Sequence, residues 1–137
     1  MLIAVDHGNH AIKTVHHNFV SGLARHSVRP PMADEVLEYK GEYWTLSGQR
    51  LPYRRDKTRD ESFFILTLFA IAKELSYAGP LPAAEKIELA VGLPPEHYSI
   101  LKDKFRAYFK RSESVQFSYN DKPMTCLLYT SPSPRDC

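Results

Sequence analysis

The 137-residue chain has only two cysteines, Cys126 and Cys137, both among its last twelve residues. No ligand spacing surrounds them, so neither a disulfide framework nor a thiolate metal centre is expected. No apolar run is long enough to span a bilayer, and the start lacks a basic leader followed by an apolar segment. A cytoplasmic protein without a membrane partner is therefore expected. Neither acidic nor basic residues dominate: a net charge of +2 is too small to argue for nucleic acid or an anionic surface. No internal repeat is visible. What remains is the composition of one soluble globular domain, with eight tyrosines and seven phenylalanines available to its core.

The informative stretch begins at residue 2. Leu2-Ile3-Ala4-Val5 is an unbroken apolar run, the pattern of a strand buried on both faces. His7-Gly8-Asn9 tolerate positive φ and suit a tight reversal, after which a second β-prone run carries Lys13. A tight turn at a strand end gathers backbone N–H groups into a small space, which favours an anion. Asp6 beside it suits a hydrated Mg²⁺, and Lys13 has the reach to meet a phosphate oxygen. Taken alone, the same residues are equally an ordinary β-hairpin with a polar tip.

Further along, His16–Ala24 reads as a third strand completing an antiparallel meander. His7, His10, His16 and His17 should scatter over both faces, and no carboxylate or cysteine joins them at ligand spacing, so a metal site is not expected. Arg29-Pro30-Pro31 breaks the pattern, and residues 28–57 read as a small inserted β unit. Its hairpin over Val36–Leu46 turns at Lys40-Gly41, and Tyr39, Tyr43 and Trp44 should pack locally. Thr58-x-x-Glu61 has the form of a capping box, and the almost wholly apolar Ser62–Leu75 predicts a centrally buried helix ended by Gly79-Pro80. Asp56 and Lys57 read first as a solvated charge run.

Lys86–Val91 predicts a strand ending at Gly92-Leu93-Pro94-Pro95. A helix should follow from Glu96 to Arg111, with Tyr98, Leu101, Phe105, Tyr108 and Phe109 on one face. Its basic residues, Lys102 to Arg111, read as a solvated face rather than a nucleic-acid surface, and His97 as a surface residue. Ser114–Tyr119 predicts a strand, Asn120–Pro123 a turn, and a partner strand should come next.

Asp6-x-Gly8-x-x-x-x-Lys13 after a first strand resembles the first phosphate motif of the actin, Hsp70 and sugar-kinase superfamily. Within it, Asp6-His7-Gly8-Asn9 with Ile12-Lys13 is most similar to the bacterial plasmid-segregation actins of the ParM/StbA type. Asp56-Lys57-Thr58-x-Asp60 and Val91-Gly92-Leu93-Pro94 resemble two further stretches of that family. The resemblance implies an α/β fold: the first lobe of the actin-like ATPase, RNase-H-like, with a mixed sheet, packed helices and a small β insertion, incomplete at its C-terminus. It implies that Asp6 holds Mg²⁺ through water, and that the backbone around Gly8, with the N–H groups of Asn9, His10 and Ala11, cradles the phosphates of ATP. Lys13 would neutralise their charge. Asn9 stands where actins often carry a hydroxyl residue.

The same resemblance implies self-association into filaments and a DNA-bound adaptor protein as partner, without direct contact to DNA. In that family the second phosphate loop, the adenosine pocket and the catalytic residues follow beyond this chain's extent. The chain alone is therefore expected to be inactive. A cell-shape actin, a sugar kinase or a non-enzymatic α/β binding module are the other readings.

Cys126–Asp136 looks like the in-frame translation of a transposase adapter used for sequencing libraries. On that reading residues 1–125 are a partial actin-like domain and residues 126–137 a non-native, disordered tail, for which Ser131-Pro132-Ser133-Pro134 is suitable composition.

Overall fold

Two residues, Ser21 and Gly22, join what are formally the two edges of a single sheet. The computed structural model describes residues 1–8, 11–49, 61–92, 107 and 114–130. Its elements are β1 (Leu2–His7), β2 (Ala11–Lys13), β3 (Asn18–Val20), β4 (Leu23–His26), β5 (Leu37–Tyr39), β6 (Glu42–Leu46), α1 (Ser62–Ala78), β7 (Ala84–Gly92), β8 (Val115–Tyr119) and β9 (Lys122–Thr130). The strands form one nine-stranded mixed sheet in the order β3-β2-β1-β7-β9-β8-β5-β6-β4. β1, β7 and β9 run parallel, with α1 on the connection between β1 and β7.

The meander β1-β2-β3 forms as expected, but the strand expected over His16–Ala24 is divided. β3 pairs with β2, whereas β4 pairs with β6 at the opposite end of the strand order. A two-residue link reaches only about 7–10 Å, so the sheet must curl until its ends nearly meet. Gly22 sits at this corner, where Ser47 N–H donates to its carbonyl at 2.9 Å. A Cβ on Gly22 would lie 2.2 Å from the Gln49 carbonyl oxygen and 2.5 Å from that of Ser47. Only glycine fits there.

α1 fills the concave side. Phe63 through Ala72 are buried without exception, as ten consecutive residues with one polar member demand. They pack with Ile3, Val5, Ile12, Ile87, Leu89, Phe117 and Met124 in one core. Each large side chain so buried contributes about 1.5–3 kcal/mol. The helix begins at Ser62 with Glu61 in the cap position and no side-chain cap bond; Thr58 of the expected capping box lies outside the described residues. Among the described residues, no helix is long and apolar enough to cross a membrane.

Three other expectations are corrected. β1 is covered on one face only: Ile3, Val5 and His7 are buried, while Leu2, Ala4 and Asp6 are exposed. An apolar run signals burial, but α1 covers only the side that odd-numbered residues face. Tyr39 is not confined to its own hairpin: it packs on Phe64 of α1, with ring centroids 5.6 Å apart, and joins the main core. The hairpin itself forms at the expected residues, Lys40 (φ 52°) and Gly41 (φ 78°), and joins the rest of the sheet through β5 and β8.

Finally, the expected partner of β8 exists, and it runs through residues read as a disordered tail. β9 lies between β7 and β8 and is hydrogen-bonded to both. Met124, Cys126 and Leu128 alternate inward. That alternation suffices to continue a strand whatever the origin of the residues. Residues 131–137, the helix expected over 96–111 apart from the helical, exposed Ala107, and Asp56, Lys57 and Pro94 lie outside the described residues.

Candidate functional site

Register brings the singled-out residues together. In the antiparallel β1–β2 ladder Asp6 is directly opposite Lys13, and His7 is opposite Ile12. In the parallel β1–β7 ladder Asp6 is level with Gly92. Side chains alternate along a strand, so Asp6 and Lys13 share the open face, while His7 and Ile12 are fully buried beneath. Opposed residues place their Cβ atoms about 4.5–5.5 Å apart. Asp6 and Lys13 therefore leave one face from opposed backbone positions, and Gly92 adds no side chain on the flank of Asp6. All of this lies at the carboxyl ends of parallel strands β1 and β7, where open α/β sheets receive ligands.

The turn is tightly closed. Gly8 N–H donates to the Ala11 carbonyl at 3.1 Å, and a Cβ on Gly8 would come within 3.0 Å of that oxygen. The buried hydroxyl of Ser21 donates to the Gly8 carbonyl at 3.3 Å. Ala11 is half-buried at the start of β2. Asn9 and His10 are outside the described residues. Ser21 reaches the turn only because the β3–β4 corner lies beside it, which the undivided third strand expected from sequence would have hidden.

His7 belongs to β1 rather than to the turn. Its Nε2 lies 2.6 Å from Thr67 Oγ1 on α1. Thr67 gives its own hydroxyl proton to the Phe63 carbonyl at 2.7 Å, so His7 must be the donor of the pair. Thr67 was not foreseen as a site residue; the one signal was a lone hydroxyl within ten otherwise apolar helical residues.

His16 and His17 share one carboxylate partner from a remote segment. Glu74, near the end of α1, accepts from the Thr14 hydroxyl (2.6 Å), the His16 backbone N–H (2.9 Å), and the Nδ1 atoms of His16 (2.9 Å) and His17 (3.0 Å). Burial alone would push the Glu74 carboxyl up, but the hydrogen bonds from Thr14, His16 and His17 outweigh it and bring the pKa down to about 2. Tyr77 stacks on His16 at 3.9 Å. The partner was invisible locally because it is 57 to 60 residues away. Among the described residues, no group of three or more His, Cys, Asp or Glu is arranged to hold a metal.

The site chemistry is that of binding. An exposed carboxylate can hold a hard cation through its water shell, and an ammonium on the same face can neutralise an oxyanion.

Residues 4–128 match the family model described as the N-terminal domain of actin-like proteins. No curated protein sequence matches significantly. Among solved structures, the chain is similar to apo psk41 ParM (TM-score 0.71, 15% identity, 94% of this chain and 48% of that one). It is likewise similar to the archaeal actin homologue Ta0583 (TM-score 0.70, 14% identity, 96% and 45%). A third is the AlfA filament bound to AMPPNP (TM-score 0.62, 17% identity, 96% and 55%). At these identities the likeness shows the fold, and the chain spans about half the length of the structures it matches.

Proposed function

The chain belongs to the family of actin-like protein N-terminal domains, and on that premise we propose that it is the first lobe of an ATP-binding, filament-forming protein of the plasmid-segregation type. The observation that carries this reading is the facing pair Asp6 and Lys13 at the carboxyl end of β1, beside a glycine-closed turn. Asp6 takes Mg²⁺ through water, a single exposed carboxylate being suited to a cation that keeps most of its hydration. Lys13 meets the phosphates as a compact charge, and the backbone N–H groups of Asn9, His10 and Ala11 cradle them. Gly92 leaves room beside Asp6. Bound nucleotide and Mg²⁺ supply the phosphoryl chemistry; this chain's residues bind and orient.

Filament growth and a DNA-bound adaptor belong to the complete protein, working in the cytoplasm. The filament form of the AlfA relative supports self-association. Hydrolysis needs the nucleotide gripped from several sides at once, so the 137-residue chain binds Mg·ATP weakly and does not turn it over.

The test is an NMR titration of this chain with Mg·ATP alongside a phosphate-release assay. Saturable shifts of Gly8 and Lys13, lost in Asp6→Ala, with no turnover, are expected. Turnover abolished by Asp6→Ala would overturn the inactivity of the single lobe. Absence of any binding, here and in the complete gene product, would favour a non-enzymatic module. Reading the genomic DNA past the Met124 codon tests the adapter origin of residues 126–137. A longer frame with a second glycine-rich phosphate loop is expected.

A further inference from the structure

We propose that Thr67, within α1, is a positioning residue for the phosphate site and acts through His7. This rests on the nucleotide reading above and adds a residue to it.

Thr67 and His7 are both fully buried, in a helix face otherwise lined with aliphatic and aromatic side chains. A hydroxyl there is no help to stability, since an apolar pair of similar shape is nearly neutral in exchange for a buried hydrogen-bonded one. Its geometry is nonetheless specific. The bond from Thr67 to the Phe63 carbonyl is the back-bond a threonine makes to residue i−4. It commits the hydroxyl proton and leaves a lone pair for His7 Nε2 at 2.6 Å.

His7 lies between Asp6 and Gly8. Because neighbouring side chains leave a strand on opposite faces, holding the His7 ring against α1 fixes the strand's rotation at its last residue. Asp6 is thereby turned to the open face opposite Lys13, and Gly8 N–H is turned to Ala11. A second tether supports the same role. Glu74 is seven residues after Thr67, two helical turns along the same face and about 10 Å away. It holds Thr14, His16 and His17 at the far end of β2. One helix thus grips the phosphate hairpin at both ends, and Thr67 is the grip nearest the ligand.

The experiment uses the 137-residue chain with Mg²⁺ and inorganic tripolyphosphate, titrated by ¹H–¹⁵N NMR. The His7 ring nitrogens report the tautomer. Thr67→Ser should bind as the parent does and keep the Nε2–H signature. Thr67→Val should lose that signature and weaken the Mg²⁺-dependent part of the affinity by about tenfold, the usual cost of losing a residue that orients a ligand's holder. Thr67→Val paired with His7→Leu should regain the parent's melting temperature without regaining the affinity, separating position from stability. Thr67→Val binding as tightly as the parent overturns the proposal alone, provided Asp6→Ala still abolishes binding. A parent chain that binds no tripolyphosphate overturns the nucleotide reading and this proposal together.

Discussion

Asp6 and Lys13 face each other across the β1–β2 ladder, and both side chains emerge on the side of the sheet that α1 leaves open. Had either strand slipped by one residue, the pair would have been split between core and solvent. Their common face follows from the turn's length: Gly8 closes onto Ala11, which sets His7 against Ile12 and so Asp6 against Lys13.

Neutralising one member of this pair should therefore act on binding and leave the fold intact. Lys13→Gln is expected to weaken Mg·ATP binding about tenfold, from the roughly 1.5 kcal/mol of a charge-assisted contact. The melting temperature should stay within a degree or two, because the side chain is exposed. Calorimetric titration and thermal unfolding of the same variant check both halves.

Glu74 makes the fold sensitive to acid. Its carboxyl is held at about 2 in the folded chain against an ordinary 4.5. A depressed pKa contributes stability that is complete above the unfolded value and is lost as protons bind the folded form. Stability should thus be full above pH 5 and fall between about 4.5 and 2, by on the order of 3 kcal/mol from this group. Urea unfolding at stepped pH should show the fall, and Glu74→Gln should flatten it while lowering stability near neutrality.

At the sheet's corner, Gly22→Ala drives a Cβ into two backbone carbonyls. A cost of about 3 kcal/mol or more is expected, since backbone atoms yield less readily than side chains. Gly48, with open space around its Cβ position, is the control: Gly48→Ala should leave the unfolding midpoint unchanged. Equal midpoints for both variants would contradict the curled closure of the sheet.

Cys126 tests the strand that sequence reading had taken for a tail. It is fully buried in β9, and burial, with the nearby charge of Glu85, pushes its thiol up to about 12. Thiolate is the reactive form, so in a Cys137→Ser background iodoacetamide should modify Cys126 only as fast as the chain unfolds. Prompt labelling in native buffer would return residues 126–130 to a disordered tail.

How far the chain could be read without coordinates depended on the distance over which each feature is decided. α1 was legible because ten neighbouring residues agree, and the Lys40-Gly41 turn because its conformation is a local matter. β7 showed in its alternation, and the reversal between β1 and β2 in its glycine, Gly8. The open side of β1, the parting of β3 from β4, the strand made of residues 122–130 and the grips of Thr67 and Glu74 on the β1–β2 hairpin were decided only in three dimensions. Each depends on a contact between segments remote in the chain: His7 meets Thr67 across 60 residues, and His17 meets Glu74 across 57. Local preference chooses a backbone shape for a few residues at a time. Which face is then buried, and which polar group finds a partner there, is set by the element that arrives from elsewhere.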